Sequence, residues 1–124
     1  MTKNKFLIFL FLVGFSSFSF AQKVEQYKGV YNKEEILMVL NRNSDGSGKG
    51  YFYNPKNPKN RKGISIYQYA EFINVMLYEK YENGILEEKI TEGELRLSRK
   101  NFSGFLEDKN GNKIFLQINH FKNK

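Results

Sequence analysis

The chain has 124 residues, a formal net charge of +7, eight tyrosines, one histidine and no cysteine or tryptophan. Without cysteine there is no disulfide, no thiolate metal centre and no lipid attached through a cysteine sulfur. A single histidine also excludes a multi-histidine metal site.

In chain order, the first feature is a leader. Lys3 and Lys5 form a basic start, and residues 6–20 are almost wholly apolar. Ser19, Phe20 and Ala21 then give a small-x-small exit before Gln22. That order is the pattern of a cleaved secretory signal. The apolar run is 15 residues long, whereas a spanning helix needs about 20. The expectation is a signal peptide over 1–21, cleavage with no transmembrane segment left, and a periplasmic or secreted protein. The remainder, 22–124, is short enough for one domain. Losing Lys3 and Lys5 lowers the formal charge from +7 to +5. The excess favours an anionic envelope glycan, a lipid head group or an acidic protein. Export argues against nucleic acid.

Beyond the leader, turn signals recur at short intervals: Asn43-Ser44-Asp45-Gly46, residues 55–62, Asn83-Gly84, Lys100-Asn101 and Asn110-Gly111. Asn-Gly supplies the positive φ angles of a two-residue hairpin. The segments between them are rich in Ile, Val, Phe and Tyr, which predicts eight strands over 27–32, 35–42, 49–54, 63–70, 72–80, 87–97, 102–108 and 113–121. Short connections make neighbours antiparallel. The predicted fold is all-β: an antiparallel up-and-down meander of about eight strands forming a small barrel or curved sheet. Two segments also carry helical signals, a capping-box pattern at Asn32 to Glu35 and a helical apolar spacing over 69–81. Their β-branched and aromatic content favours strand in both. Period-two alternation predicts a core of Ile36, Met38, Leu40, Ile64, Ile66, Ile73, Val75, Leu77, Leu95, Leu97, Ile114, Leu116 and Ile118.

Tyr27-Lys28-Gly29, the alternation 36–40, Gly50-Tyr51-Phe52-Tyr53, Gly93-Glu94-Leu95 and Phe102-Ser103-Gly104-Phe105 follow one another along the chain. In this order they resemble small exported bacterial β-meander proteins of unassigned function. That resemblance implies a lipocalin- or avidin-like barrel and carries no active site. Phe105 stands where such chains usually have Trp, and the lipocalin Gly-x-Trp signature is missing. Ser47-Gly48-Lys49-Gly50-Tyr51 also looks like the Ser-Gly-x-x-Tyr loop of periplasmic inhibitors of C-type lysozyme, which would make Ser47 and Tyr51 the inhibitory residues. The second motif of that family and its cysteines are absent.

Chemistry-bearing motifs are sparse. Asn41, Asn43, Asp45 and Gly46 imitate the start of an EF-hand loop, but Phe52 occupies the position of the bidentate Glu. Turn chemistry accounts for those residues. His120, four residues from the end, has no nucleophile motif to serve. Glu34-Glu35 and Glu87-Glu88 are adjacent pairs, which a strand points to opposite faces. Glu92 and Glu94 share a face expected to be solvated. No enzyme, metal or cofactor is expected.

One constellation points to binding. With Phe52, Ile64 and Ile66 inward, Tyr51, Tyr53, Tyr67 and Tyr69 face out from two neighbouring strands. Lys56, Lys59, Arg61 and Lys62 stand at the hairpin tip. Tyrosine offers apolar area with a polar handle, and the loop cations attract anions. The expected function is a non-enzymatic binding module that docks an anionic glycan or protein surface through the hairpin 49–70. The alternatives are a carrier with an apolar ligand inside the barrel, and a lysozyme-inhibitor-like protein.

Overall fold

A computed structural model describes residues 22–121. The expected leader lies outside the described residues. Eight strands follow in order: β1 (Gln22–Tyr31), β2 (Glu34–Asn43), β3 (Ser47–Tyr53), β4 (Lys62–Tyr69), β5 (Phe72–Glu82), β6 (Ile85–Ser98), β7 (Asn101–Asp108) and β8 (Lys113–Asn119). Each pairs antiparallel with the next, and β8 pairs with β1 to close a barrel. Both segments with helical signals are strands, β2 and β5. Their apolar residues meet partners on both sides, and that pairing outweighs local helix signals.

The turns show why the meander forms. Asn83 (φ 52°) and Gly84 (φ 82°) make a two-residue connection between β5 and β6. Positive φ at both positions matches the right-handed twist of the flanking strands. All other connections span two to four residues except 54–61, between β3 and β4. That loop is eight residues long. It is therefore the connection with length to spare for something beyond linking strands.

Alternation fills the interior. Leu40, Ile64, Ile73, Leu77, Leu95, Phe102, Leu106, Leu116 and Ile118 are all at 0% exposure. Burying each such side chain contributes about 1.5–3 kcal/mol. Two predicted core residues sit nearer the edge: Leu97 packs against the core only half-buried, and Ile114 is half-buried near the start of β8. The pairing of β5 with β6 shifts between Leu77 and Tyr78, where Thr91 and Lys89 are the successive partners. Ile90 is the extra residue of this bulge, and it packs on the core.

The two ends of the barrel differ. At the base, Arg42 and Gln68 extend the inward rows of β2 and β4 and are both buried. Arg42 lies 3.3 Å from the Glu25 carboxylate and donates to the Gln68 carbonyl. The Tyr27 hydroxyl donates to Glu25. Phe121 covers this group, with ring centroids 4.9 Å from Tyr27 and 5.6 Å from Phe102. At the opposite end, the mouth, the long loop 54–61 shares the rim with the β1–β2, β5–β6 and β7–β8 turns.

Candidate functional site

The register of the β3–β4 hairpin decides how its tyrosines are used. Tyr51 pairs with Gly63, whereas Tyr67 pairs with Ser47. All four tyrosines leave the interior, but as two clusters rather than one row. Near the mouth, Tyr51 stacks on Tyr53 with centroids 6.1 Å apart and meets Tyr81 of β5 at 5.0 Å. The Arg61 guanidinium lies 4.2 Å over the Tyr51 ring. Near the base, Tyr67 stacks on Tyr69 at 6.1 Å, and Tyr69 on Phe72 at 5.7 Å. The Tyr69 hydroxyl donates to Glu94, an acceptor that holds its phenol above the usual tyrosine value.

The loop 54–61 is built from asparagine turns. Asn54 Oδ1 accepts from Lys56 N at 2.8 Å, and Asn57 N donates to Asn54 O at 2.8 Å. Asn60 N then donates to Asn57 O at 3.1 Å. Pro55 and Pro58 fix φ between these turns. Asn54 Nδ2 donates to Glu34 Oε1 at 3.1 Å and ties the loop to β2. Lys56, Lys59 and Arg61 are exposed. Among the described residues, none of the three forms an ion pair. Lys62 departs from this group. It follows the inward row of β4, is half-buried, and lies 3.5 Å from the Glu79 carboxylate.

Between loop and rim lies a cavity of about 270 Å³. Ile36 and Phe52 form its floor together with Tyr31, whose ring meets Phe52 edge-on at 5.1 Å. Asn54, Asn57 and Asn60 line it, and Glu34, Lys56 and Lys62 bring charge. Tyr53 completes the wall. Burial raises the Tyr31 phenol above its ordinary value, and the charges of Glu79 and Asp108 add to this. Three residues expected at the site, Tyr53, Lys56 and Lys62, thus meet at this cavity. Tyr51, Lys59 and Arg61 belong to the outer side of the same tip. Tyr67 and Tyr69 do not reach it.

A second hollow, an open trough of about 630 Å³, crosses the outer face of β4, β5 and β6. Tyr67, Asn74, Met76, Glu92 and Glu94 border it. Two of the considered carboxylates line it, as Glu34 and Glu35 border a separate hollow beside Lys33, Asn54 and Lys56. Glu92 is engaged by Lys89 at 3.1 Å and Glu94 by Tyr69. Both carboxylates are exposed on an open face. A general acid normally needs a dry, apolar surround, and among the described residues these two stand exposed.

The remaining candidates serve turns. Asp45 Oδ1 accepts from Ser47 N at 2.9 Å and from Ser47 Oγ at 2.6 Å, and Asn43 Nδ2 donates to Ser47 Oγ at 2.9 Å. Ser47 and Tyr51 do share the outer face of β3, but the serine hydroxyl is engaged within its own turn. His120 is exposed at φ 54°, with its backbone N 3.2 Å from Asn101 Oδ1.

Tyr31, Glu34, Asn57, Asn60 and Tyr81 were not identified as site residues from the sequence. The asparagine spacing 54, 57, 60 was a readable signal, since a three-residue repeat of turn formers puts their side chains around one loop. Tyr81 carried no such signal, because its meeting with Tyr51 depends on β5 extending past the bulge. No family model, curated protein or solved structure matches the chain.

Proposed function

We propose that the chain is an exported, non-enzymatic binding module that docks an anionic macromolecule through the tip of its β3–β4 hairpin. The observation that carries this reading is the state of Lys56, Lys59 and Arg61. They are exposed, lack an ion pair among the described residues, and stand on the one long loop beside the rings of Tyr51, Tyr53 and Tyr81. Cations without an ion pair attract an anionic surface. Adjacent rigid rings add contact area at low entropic cost.

The filled interior favours this reading over an apolar-ligand carrier. Side chains from β2 and from every strand β4 to β8 meet at 0% exposure, and a barrel of this size is filled by such packing. The asparagines and charged residues that line the mouth cavity beside Ile36 and Phe52 also suit a partner with polar groups rather than a lipid tail. The inhibitor-like alternative has less support, because the Ser47 hydroxyl already serves its own turn.

The test is binding to immobilised polyanions across a salt series. Wild-type protein should bind and weaken steeply as salt rises. The triple charge reversal Lys56→Glu, Lys59→Glu, Arg61→Glu should abolish binding. Retention by that variant would overturn the assignment to the tip.

A further inference from the structure

The mouth cavity narrows the class of anionic partner. We infer that it seats one sugar ring of an acidic polysaccharide, while the acid groups of that chain lie on Lys59 and Arg61 at the rim. This rests on the tip reading above and adds a cavity that a merely electrostatic contact would not need.

Size is the first argument. A volume of about 270 Å³ falls just short of the roughly 300 Å³ at which pockets for drug-sized molecules begin. It suits a single ring rather than an extended lipid or a folded peptide. Barrel mouths are also a recurrent place for small-ligand sites.

Hydrogen-bonding character is the second. Asn54, Asn57 and Asn60 converge on this cavity. The Asn54 amide is engaged by Lys56 N and Glu34, whereas the exposed Asn57 and Asn60 carboxamides each offer both a donor and an acceptor. A carboxylate side chain of an acidic protein only accepts, so it would leave the amide carbonyls without donors. Ring hydroxyls donate and accept, and match the carboxamides in both senses. Within the cavity the charge of Glu34 offsets that of Lys56, and Lys62 is held by Glu79. The interior is therefore close to neutral, while the exposed rim is cationic. That separation fits a hydroxyl-rich ring inside and acid groups outside.

The third argument is the apolar floor. Phe52, Ile36 and the Tyr31 ring present carbon surface beneath the amides. A pyranose ring has a C–H face that can rest on carbon surface while its hydroxyl edge points at polar groups. An inorganic anion has no such face.

The experiment is an NMR titration of the protein with three probes: a uronic-acid tetrasaccharide, a neutral hexose tetrasaccharide and a polyglutamate peptide. Both saccharides should shift the side-chain amide signals of Asn54, Asn57 and Asn60, the neutral one with about tenfold weaker affinity. Polyglutamate should shift only signals around Lys59 and Arg61. The variant Asn57→Ala, Asn60→Ala should weaken both saccharides by about tenfold or more and leave polyglutamate unchanged. Lys59→Glu, Arg61→Glu should do the reverse for polyglutamate and spare the neutral sugar. Polyglutamate binding without any saccharide shift at the asparagines would overturn the sugar assignment and leave the tip reading standing. Failure of all three probes would overturn both. A circular dichroism spectrum unchanged from wild type keeps each variant interpretable.

Discussion

Arg61 lies over Tyr51, its guanidinium carbon 4.2 Å from the ring centroid. Tyr51 in turn meets Tyr53 and Tyr81 at 6.1 and 5.0 Å. A flexible loop cation is thereby held on a rigid sheet. An exposed cation–π contact contributes about 0.5–1 kcal/mol, enough to bias the arginine towards one position without immobilising it. Tyr51→Phe should therefore keep both stability and polyanion affinity near wild type, since the ring face remains. Tyr51→Ala should cost about 1 kcal/mol of stability and weaken polyanion binding several-fold. Urea denaturation beside a binding isotherm checks both, and equal affinities for Tyr51→Ala and wild type would remove Tyr51 from the site.

Closure of the barrel brings strands so near at Gly50 that an added methyl would run into the Val39 carbonyl oxygen of β2. Relief would require the backbone of a neighbouring strand to shift. Gly50→Ala should thus cost about 3 kcal/mol or more, and the protein should expose its core to a hydrophobic dye. Gly84 gives the contrast. Its φ is +82°, but nothing lies within 4 Å of an added Cβ. Gly84→Ala should cost only the left-handed strain of about 1–2 kcal/mol. Thermal melts of the two variants separate steric closure from turn strain.

These two glycines also show what the sequence made legible. Asn83-Gly84 announced its hairpin directly, because the φ requirement is local. Gly50 read only as part of a Gly-aromatic strand, because its constraint comes from β2. The strands and most of the core followed from period two, as in Ile73, Val75 and Leu77. The same alternation, carried on past Leu40 and Ile66, leads to Arg42 and Gln68. Apolar scoring stops before those polar residues and misses the base. The split of the tyrosines turned on register: pairing Tyr51 with Gly63 sends Tyr67 and Tyr69 towards the other end. The mouth cavity joins β1, β2, β3, the loop and the start of β4, a combination set by strand pairing rather than by local sequence.

The β7–β8 turn is held by Asp108, and its stability should depend on pH. Its carboxylate accepts from Asn110 N and Asn112 N, each at 2.9 Å, and from Asn112 Nδ2 at 3.3 Å. These donors, chiefly Asn112, hold its pKa below the usual Asp value. The contribution is present above the unfolded Asp pKa of about 3.9 and is lost as pH falls through the lower folded value. Asp108→Asn should flatten the acid limb of a urea-stability profile. At the alkaline end Tyr31 behaves oppositely. Its folded pKa is raised, first by burial and then by Glu79 and Asp108. Its contribution is present below about pH 10 and is lost as pH rises through the folded value. Tyr31→Phe should flatten the alkaline limb. Asp108→Asn should also lower the Tyr31 pKa, read from the tyrosinate absorbance that Tyr31→Phe removes.

At the base, the buried Arg42 guanidinium lies 3.3 Å from Glu25 and 4.3 Å from the Phe121 ring centroid. Phe121 also packs on Tyr27 and Phe102. One side chain thus ties β1, β2 and β4 to Phe121, two residues beyond β8. Removing one member of a buried charged pair typically costs about 3–5 kcal/mol, whereas an apolar side chain of similar volume restores part of that. Arg42→Ala should therefore destabilise by about 3–5 kcal/mol, and Arg42→Met by clearly less. Phe121→Ala should cost about 3–5 kcal/mol through lost packing alone. Because the two residues touch, the double variant should fall short of the sum by roughly 0.5–2 kcal/mol. Urea denaturation of the four proteins closes the cycle. Strict additivity would mean that Arg42 is held by its polar partners alone and that Phe121 caps the barrel independently. None of these base variants should change polyanion affinity while folded, since the tip lies at the opposite end of the barrel.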